Sequence, residues 1–265
     1  TRTGRISSTE PNLQNIPIRT PIGSEIRRFF RARKGDTLLD ADYSQIELRV
    51  LADLSGDPNM TEAFLHDEDI HTKTASQVFN MPPEMVTPLM RNQAKAVNFG
   101  IVYGIGAFSL AQDIDVSVPE ADAYIKGYLS FYKGVEKFME DSIAFATEHG
   151  YVKTAFERRR YLPELESSNY NLREFGKRVA RNMPIQGTAA DIIKIAMIRV
   201  YRRLKEEGLE ARLLLQVHEE LIVECPPEEI EKATKILQEE MEQAAKLSVP
   251  LVAEVAAGEN WLEAK

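Results

Sequence analysis

Cysteine is almost missing from this 265-residue chain. Cys225 stands alone, so no internal disulfide framework exists and the composition fits a reducing compartment. No apolar run approaches the roughly 20 residues that cross a bilayer, which excludes a helical membrane span. The opening residues Thr1-Arg2-Thr3-Gly4-Arg5 lack an apolar stretch after their charges, so no secretory signal is visible. Internal repeats and low-complexity segments are absent. An excess of positive charge is lacking too: 33 Lys and Arg face 41 Asp and Glu, a net −8 that taken whole speaks against a nucleic-acid partner. What is present, 43% hydrophobic residues, is enough to build the core of one large domain or two small ones.

Averaging conceals how the charge is distributed. Residues 1–35 are net +6, 36–90 net −9, 91–205 net +5 and 206–265 net −10. Such segregation can set a basic surface beside a carboxylate cluster, as a magnesium site facing a polyanion requires. The acidic run 226–247 has a plainer explanation. Its Ile230, Ala233, Ile236, Leu237 and Met241 recur at helical spacing, so its charges are a solvated helix face.

The hydrophobic pattern describes an α+β chain, with strands at both ends and helices between. Residues 1–25 read as an irregular lead-in and 37–42 as a short buried strand, with a helix from Ser44 or Gln45. Helices are expected over 59–80, 84–103, about 119–148 and about 170–206, the last bent near Pro184 and Gly187. Hairpins are expected at 151–162 and at 211–224, the second turning at His218-Glu219-Glu220, and a last strand over 251–255.

Two places carry carboxylates where a core would refuse them. Asp42 ends the apolar strand, with Asp40 on the same face by period-two alternation. Far downstream, Gln216-Val217-His218-Glu219-Glu220-Leu221 sets adjacent carboxylates at a hairpin tip. Brought together, they could hold a pair of magnesium ions about 3.5–4 Å apart, as phosphoryl transfer uses. Alternatively Asp42 caps the next helix and the Glu pair solvates a turn. Spacing alone leaves both open.

A third pattern favours the first reading. Arg91, Lys95, Phe99 and Tyr103 recur every four residues within RNQAKAVNFGIVYG. Four residues advance a helix by about 400°, so these side chains form one winding stripe about 18 Å long. It begins cationic and ends aromatic, the order in which a nucleotide presents phosphates and then a flat base. A core-facing stripe would not begin with Arg and Lys. Gly100 and Gly104 would let backbone or a base approach closely. The glycines are not a phosphate loop, since no Gly-Lys-Ser/Thr follows.

With these residues in view the chain closely resembles the C-terminal part of a family A DNA polymerase, of the bacterial DNA polymerase I type. Asp42-Tyr43-Ser44-Gln45-Ile46-Glu47-Leu48-Arg49, Arg91 through Gly104 and Gln216 through Leu221 match its three polymerase motifs in order; TGRISSTEPNLQNIP at 3–17 and NMPIQGTAAD at 182–191 add support. The resemblance implies a right-hand architecture: an antiparallel palm sheet with mostly helical fingers. Residues 1–55 would be palm, 56–190 fingers and 191–265 the rest of the palm. The thumb, the first palm segment and any exonuclease domain would precede Thr1.

The resemblance also implies roles. A primer 3′-hydroxyl would attack the α-phosphorus of a deoxynucleoside triphosphate and release pyrophosphate, with two Mg2+ as cofactor. Asp42, the Tyr43 carbonyl, Glu219 and Glu220 would hold the metal. Arg91 and Lys95, joined by His71, would bind the triphosphate, with Lys95 counted among the catalytic groups beside Asp42 and Glu219. Phe99 would stack on the incoming nucleotide, Tyr103 would occupy the template-base position, and Glu47 would crowd the sugar 2′ position. Arg5, Asn12, Gln14, Asn15, Asn182, Gln186, His218 and Arg160, with Arg158 and Arg159 beside it, would contact primer–template DNA. His66 and His149 read as structural; His66 and His71 are five apart, so the i,i+4 zinc pair is not met. The expected protein is a monomeric, cytoplasmic enzyme of DNA replication and repair that needs no membrane.

Five positions depart from the family pattern. Glu219 stands where Asp is usual, Asn92 for Arg, Arg2 for Ala, Glu157 for Gly and Asp53 for His. The longer Glu219 side chain and the missing thumb motivate an alternative, a catalytically impaired nucleic-acid-binding fragment. A templated RNA polymerase or reverse transcriptase is a third possibility, against which Glu47 and Phe99 favour deoxynucleotides.

Overall fold

The computed structural model describes residues 1–17 and 21–265; the part of the expected lead-in at 18–20 lies outside them. In chain order the main elements are α1 (Pro21–Glu25), β1 (Thr37–Tyr43), α2 (Ile46–Ser55), α3 (Pro58–Leu65), α4 (Ile70–Val78), α5 (Pro88–Tyr103), α6 (Ala107–Ile114), α7 (Val118–Phe131), α8 (Lys133–His149), β2 (Tyr151–Lys153), β3 (Arg159–Tyr161), α9 (Tyr170–Glu206), β4 (Arg212–Val217), β5 (Glu220–Cys225), α10 (Ile230–Glu242) and β6 (Ala253–Gly258). The fold is α+β. Among the described residues no helix is long and apolar enough to cross a membrane. The chain divides into two compact units: Thr1–Ile46, Ala189–Lys246 and Leu251–Lys265 form one, Glu47–Thr188 and Leu247–Pro250 the other.

The first unit is built on an antiparallel sheet of order β4-β5-β1-β6. β1 is central, paired with β5 (Leu39↔Val223, Asp42↔Glu220) and with β6 (Ala41↔Val255, Asp42↔Glu254). Cross-strand partners share a face, so Leu39, Ala41 and Tyr43 lie with Leu221 and Val223 on one side. All five are buried. α10 packs on β1 and β6, and the Tyr43 hydroxyl donates to the Met241 carbonyl at 2.6 Å. The opposite face carries Leu38, Asp40 and Asp42. Trp261 and Ala264 cover it, clustered with Leu38, Val217 and Ile222.

The second unit is mostly helical. α4 packs on α5 and α7, α6 on α7, and α8 against β2. Ala146, Val152, Leu162, Val179, Ala180 and Met183 form one of its cores. Side-chain caps set the helix starts: Asp57 for α3, Asp69 for α4, Thr87 for α5, and a reciprocal Ser117–Glu120 box for α7.

Several sequence expectations are corrected here. The single helix over 59–80 is two, α3 and α4, because Asp67 takes a left-handed φ of 53° and Asp69 caps a fresh start. The helix over 84–103 begins at Pro88, after a separate short turn at Pro83–Met85. The stretch 119–148 breaks at Tyr132 into α7 and α8. α6 was not expected at all. The second hairpin turns on His218 and Glu219 alone: Glu220 is already the first residue of β5. The long helix stands as expected: α9 covers Tyr170–Glu206 with Pro184 inside it. The last strand starts at Ala253 rather than 251.

Candidate functional site

The carboxylates of the first unit lie where strand pairing puts them. Asp42 is opposite Glu220 on β5 and Glu254 on β6, while Glu219 sits at the exposed hairpin turn, its carbonyl accepting from the Tyr43 N–H at 3.3 Å. Glu220 is buried. Cations meet this face from two directions. The Arg27 guanidinium, itself buried, comes within 3.6 Å of Glu220 Oε2 and lies 4.1 Å over the Trp261 ring. The Lys265 ammonium contacts Glu220 Oε1 and lies 3.6 Å from Asp42 Oδ2. Trp261 donates its indole N–H to Asp40 Oδ2 at 3.2 Å.

Burial, and after it the neighbouring charges, show in the titration of these acids. Burial, opposed by Lys265 and reinforced by Asp42, pushes the Asp40 carboxyl up to about 6. Burial also raises Asp42, against Lys265 and with help from Glu219. A bound cation would relieve both effects.

Whether these residues suit a divalent ion can be judged from their oxygens. Asp42 Oδ1 and Glu220 Oε2 are buried acceptors with no hydrogen-bond partner among the described residues. Among the described residues no three His, Cys, Asp or Glu side chains converge as a preformed metal cage. Magnesium seldom uses one: it takes one or two carboxylates and completes its shell with water and substrate phosphates. The donor set, hard carboxylate oxygens in excess of cations, fits such an ion.

The stripe belongs to the second unit, on α5. Thr87 caps the helix start, with Pro88 next and Gly104 in the left-handed region (φ 68°) at the end. Ala94, Val97, Asn98 and Ile101 turn inward, leaving Arg91, Lys95, Phe99 and Tyr103 on the outward face. The stripe is therefore not core. Gly100 has a different cause from the one expected: a Cβ there would collide with the Ile105 side chain. Arg91 Nε donates to Asp69 Oδ2 at 2.5 Å. Burial alone would raise Asp69, but bonds from Arg91, the Thr72 hydroxyl and the His71 N–H hold it down at about 2. His71 lies 5.9 Å from Phe99, ring centre to ring centre, and burial keeps its imidazole down at about 4. Glu47, in the first turn of α2, is buried.

Five of the eight residues expected at DNA share one cleft. Arg5, Asn12, Gln14, Asn15 and His218 line it, a volume of about 230 Å³ in the first unit. Gln14 is bound to hairpin backbone there, donating to Gln216 O at 2.8 Å and accepting from His218 N at 3.1 Å. In the second unit Asn182 donates to the Tyr103 carbonyl at 2.7 Å, Gln186 is half-buried on α9, and Arg160 sits on β3 with Arg158 and Arg159 exposed beside it. His149 stacks on Phe145 at 4.2 Å and His66 follows α3, and among the described residues neither belongs to a group that could hold a metal.

Two of the five departures acquire a physical setting. Glu157 holds a left-handed φ of 63°, a position that favours glycine. Asp53 accepts the Ser248 N–H at 2.6 Å. Nothing in the structure explains Arg2 or Asn92. Sequence reasoning missed Arg27, Trp261 and Lys265. Trp261, the chain's one tryptophan, was a visible signal; Arg27 and Lys265 gave none.

The model of DNA polymerase family A matches residues 1–263. The chain is 56% identical over 266 residues to DNA polymerase I of Bacillus subtilis (strain 168), covering 100% of this chain and 30% of that protein. It is 50% identical to the thermostable DNA polymerase I of Thermus aquaticus, covering 100% of this chain and 32% of that one. A solved structure, the POL domain of Pol1 from M. smegmatis in complex with DNA primer-template and dNTP, superposes with a TM-score of 0.95 at 46% identity, over 100% of this chain and 47% of that one. The chain thus spans about a third of the length of the curated relatives it matches.

Proposed function

The chain belongs to DNA polymerase family A, and from that premise we propose that it carries the nucleotidyl-transfer site of a DNA-templated DNA polymerase. The reaction extends a primer: its 3′-hydroxyl gives up a proton to water, the 3′-oxygen bonds to the α-phosphorus of a deoxynucleoside triphosphate, the bond from that phosphorus to the oxygen bridging to the β-phosphate breaks, and pyrophosphate leaves. Palm and fingers are the roles we assign to the sheet-bearing and helical units. The setting is DNA replication and repair, by a monomeric cytoplasmic enzyme on primer–template DNA.

Asp42, with Glu219, Glu220 and the Tyr43 carbonyl, would hold two magnesium ions. When bound, such ions neutralise charge on the transferring phosphoryl group and make the attacking hydroxyl more acidic. Arg91 and Lys95 grip the triphosphate by charge-assisted hydrogen bonds, and His71 joins them as a neutral donor. Phe99 offers a flat face to the incoming nucleotide and Tyr103 holds the template-base position. Glu47 fills the space a ribose 2′-hydroxyl would need. Arg5, Asn12, Gln14, Asn15, Asn182, Gln186, His218 and Arg160 contact the DNA, with amide side chains suited to minor-groove acceptors that look alike in every correct pair.

The observation that carries this reading is Asp42: a carboxylate on the central strand, half-shielded, with one oxygen unbonded and other acids beside it. Such a group is costly unless a cation completes it. Primer extension by this chain, with a labelled primer–template, four dNTPs and Mg2+, tests the proposal. A ladder of products that vanishes with EDTA supports it, and no extension refutes it as it stands. Recovery of extension in Glu219→Asp alone would favour the second reading, a nucleic-acid-binding fragment impaired by its longer carboxylate.

A further inference from the structure

Beneath the outward stripe of α5 lies a buried polar chain drawn from three places in the second unit. Thr74 on α4, Asn98 on α5 and Tyr132 between α7 and α8 are wholly buried, and His71 nearly so. Tyr132 OH lies 3.1 Å from Thr74 Oγ1, Thr74 Oγ1 donates to Asn98 Oδ1 at 3.2 Å, and Asn98 Nδ2 lies 3.0 Å from His71 Nδ1. An apolar core does not need four such groups in a row.

Counting hydrogens fixes the direction of the chain. The Tyr132 phenol keeps its proton, because burial raises its pKa. Thr74 gives its own hydrogen to Asn98 Oδ1, so in the Thr74–Tyr132 contact, where either hydroxyl could donate, the O–H is that of Tyr132 and Thr74 Oγ1 accepts. With the amide turned over, Asn98 would donate to Thr74 instead. Two hydroxyl hydrogens would then compete for the single Thr74–Tyr132 contact, and one would be buried unsatisfied, which is costly. So donation runs Tyr132 → Thr74 → Asn98 → His71, each bond polarising the next. At its end Nδ1 of His71 must accept. Nε2, which has no hydrogen-bond partner among the described residues, must carry the proton.

We propose that Asn98 is a positioning residue: its amide locks His71 in the Nε2-protonated tautomer, so that the imidazole offers a fixed N–H donor to a non-bridging oxygen of the nucleotide's triphosphate. The inference rests on the reading of the α5 stripe as the triphosphate site. The surroundings suit a neutral donor rather than a cation. Besides Phe99, the groups that bear on the ring are Asp69, Arg91 and Lys95, two of them cationic, and burial adds to their disfavour of an imidazolium. Doubly protonated, His71 would also point Nδ1–H at the Asn98 amide hydrogens.

The tautomer is directly measurable on the unmodified chain. Protein labelled with 15N-histidine, observed by long-range 1H–15N correlation at pH 7, should show His71 protonated on Nε2 and bare on Nδ1. Asn98→Asp, whose carboxylate accepts from Nδ1–H, should move the proton to Nδ1 and raise the dNTP KM by about tenfold, the weight of one hydrogen bond to a charged group, with kcat changed far less. His71→Ala should raise KM similarly. A wild-type His71 protonated on Nδ1 overturns the role of Asn98 whatever the variants do. Unchanged KM in Asn98→Asp with His71→Ala impaired does the same and leaves the triphosphate reading intact. Unchanged KM in His71→Ala defeats that reading itself.

Discussion

Asp57 is the residue on which the helical unit should depend most visibly. It is 1% exposed, between α2 and α3. Its Oδ1 accepts the Met60 N–H at 3.0 Å and so caps α3, while Oδ2 accepts the Gly134 N–H at 2.8 Å in the first turn of α8. One carboxylate thus serves the starts of two helices, with Gly134 lying 77 residues after Asp57. Gly134 is small for that reason, since a Cβ there would sit 2.7 Å from Asp57 Cα. Asp57→Ala removes one cap, strands a buried N–H and deletes a charge favoured by two helix dipoles, for a loss of about 3 kcal/mol in unfolding free energy. Asp57→Asn keeps a single acceptor oxygen and should lose roughly half as much. Urea unfolding followed by far-ultraviolet circular dichroism measures both, the midpoint falling at unchanged slope. A loss below about 1 kcal/mol for Asp57→Ala would mean that neither bond is a buried cap, and the reasoning would fail.

Two further outcomes follow from local geometry. Glu157→Gly removes a left-handed non-glycine residue at the cost of an exposed ion pair to Lys153 and some chain entropy. The balance is a gain of up to about 1 kcal/mol, seen as a higher urea midpoint; a clear loss would contradict the strain argument. His71 gives a pH dependence. Its folded-state value lies near 4 against an ordinary 6.5, so between those limits the unfolded chain binds a proton that the fold refuses. Its contribution is full above about pH 6.5 and is lost as pH falls towards 4, by at most about 3 kcal/mol. Comparing the unfolding free energy of wild type and His71→Gln across that range checks it; parallel profiles would show that the imidazole is not held neutral.

How much of this was legible in advance depended on range. The α5 stripe could be read because its cations and aromatics break the rule for a core-facing helix, and the structure turns them outward. The full length of α9 and the apolar face of α10 followed from periodicity within one element. The breaks at Asp67 and Tyr132 did not, because helical propensity runs through both and tertiary contacts decide, such as the Asp57 bond to the start of α8. The carboxylate site was half visible. Asp40 and Asp42 share a face by simple alternation, but Glu220 was read into a turn. Only its pairing with Asp42 across 178 residues puts it in the strand. Arg27, Trp261 and Lys265 reach that face by the folding of distant segments, which no local pattern encodes.

The central claim is that Asp42 makes this sheet a nucleotidyl-transfer centre. Single-nucleotide extension of a defined primer–template, in Mg2+ with the matched dNTP, tests it in wild type and in Asp42→Ala, both shown by circular dichroism to be folded. The account expects extension by the wild type and a fall of several orders of magnitude in the variant, with the fold intact because removing this acid relieves its repulsion of Asp40. Extension at comparable rates by both proteins would contradict it.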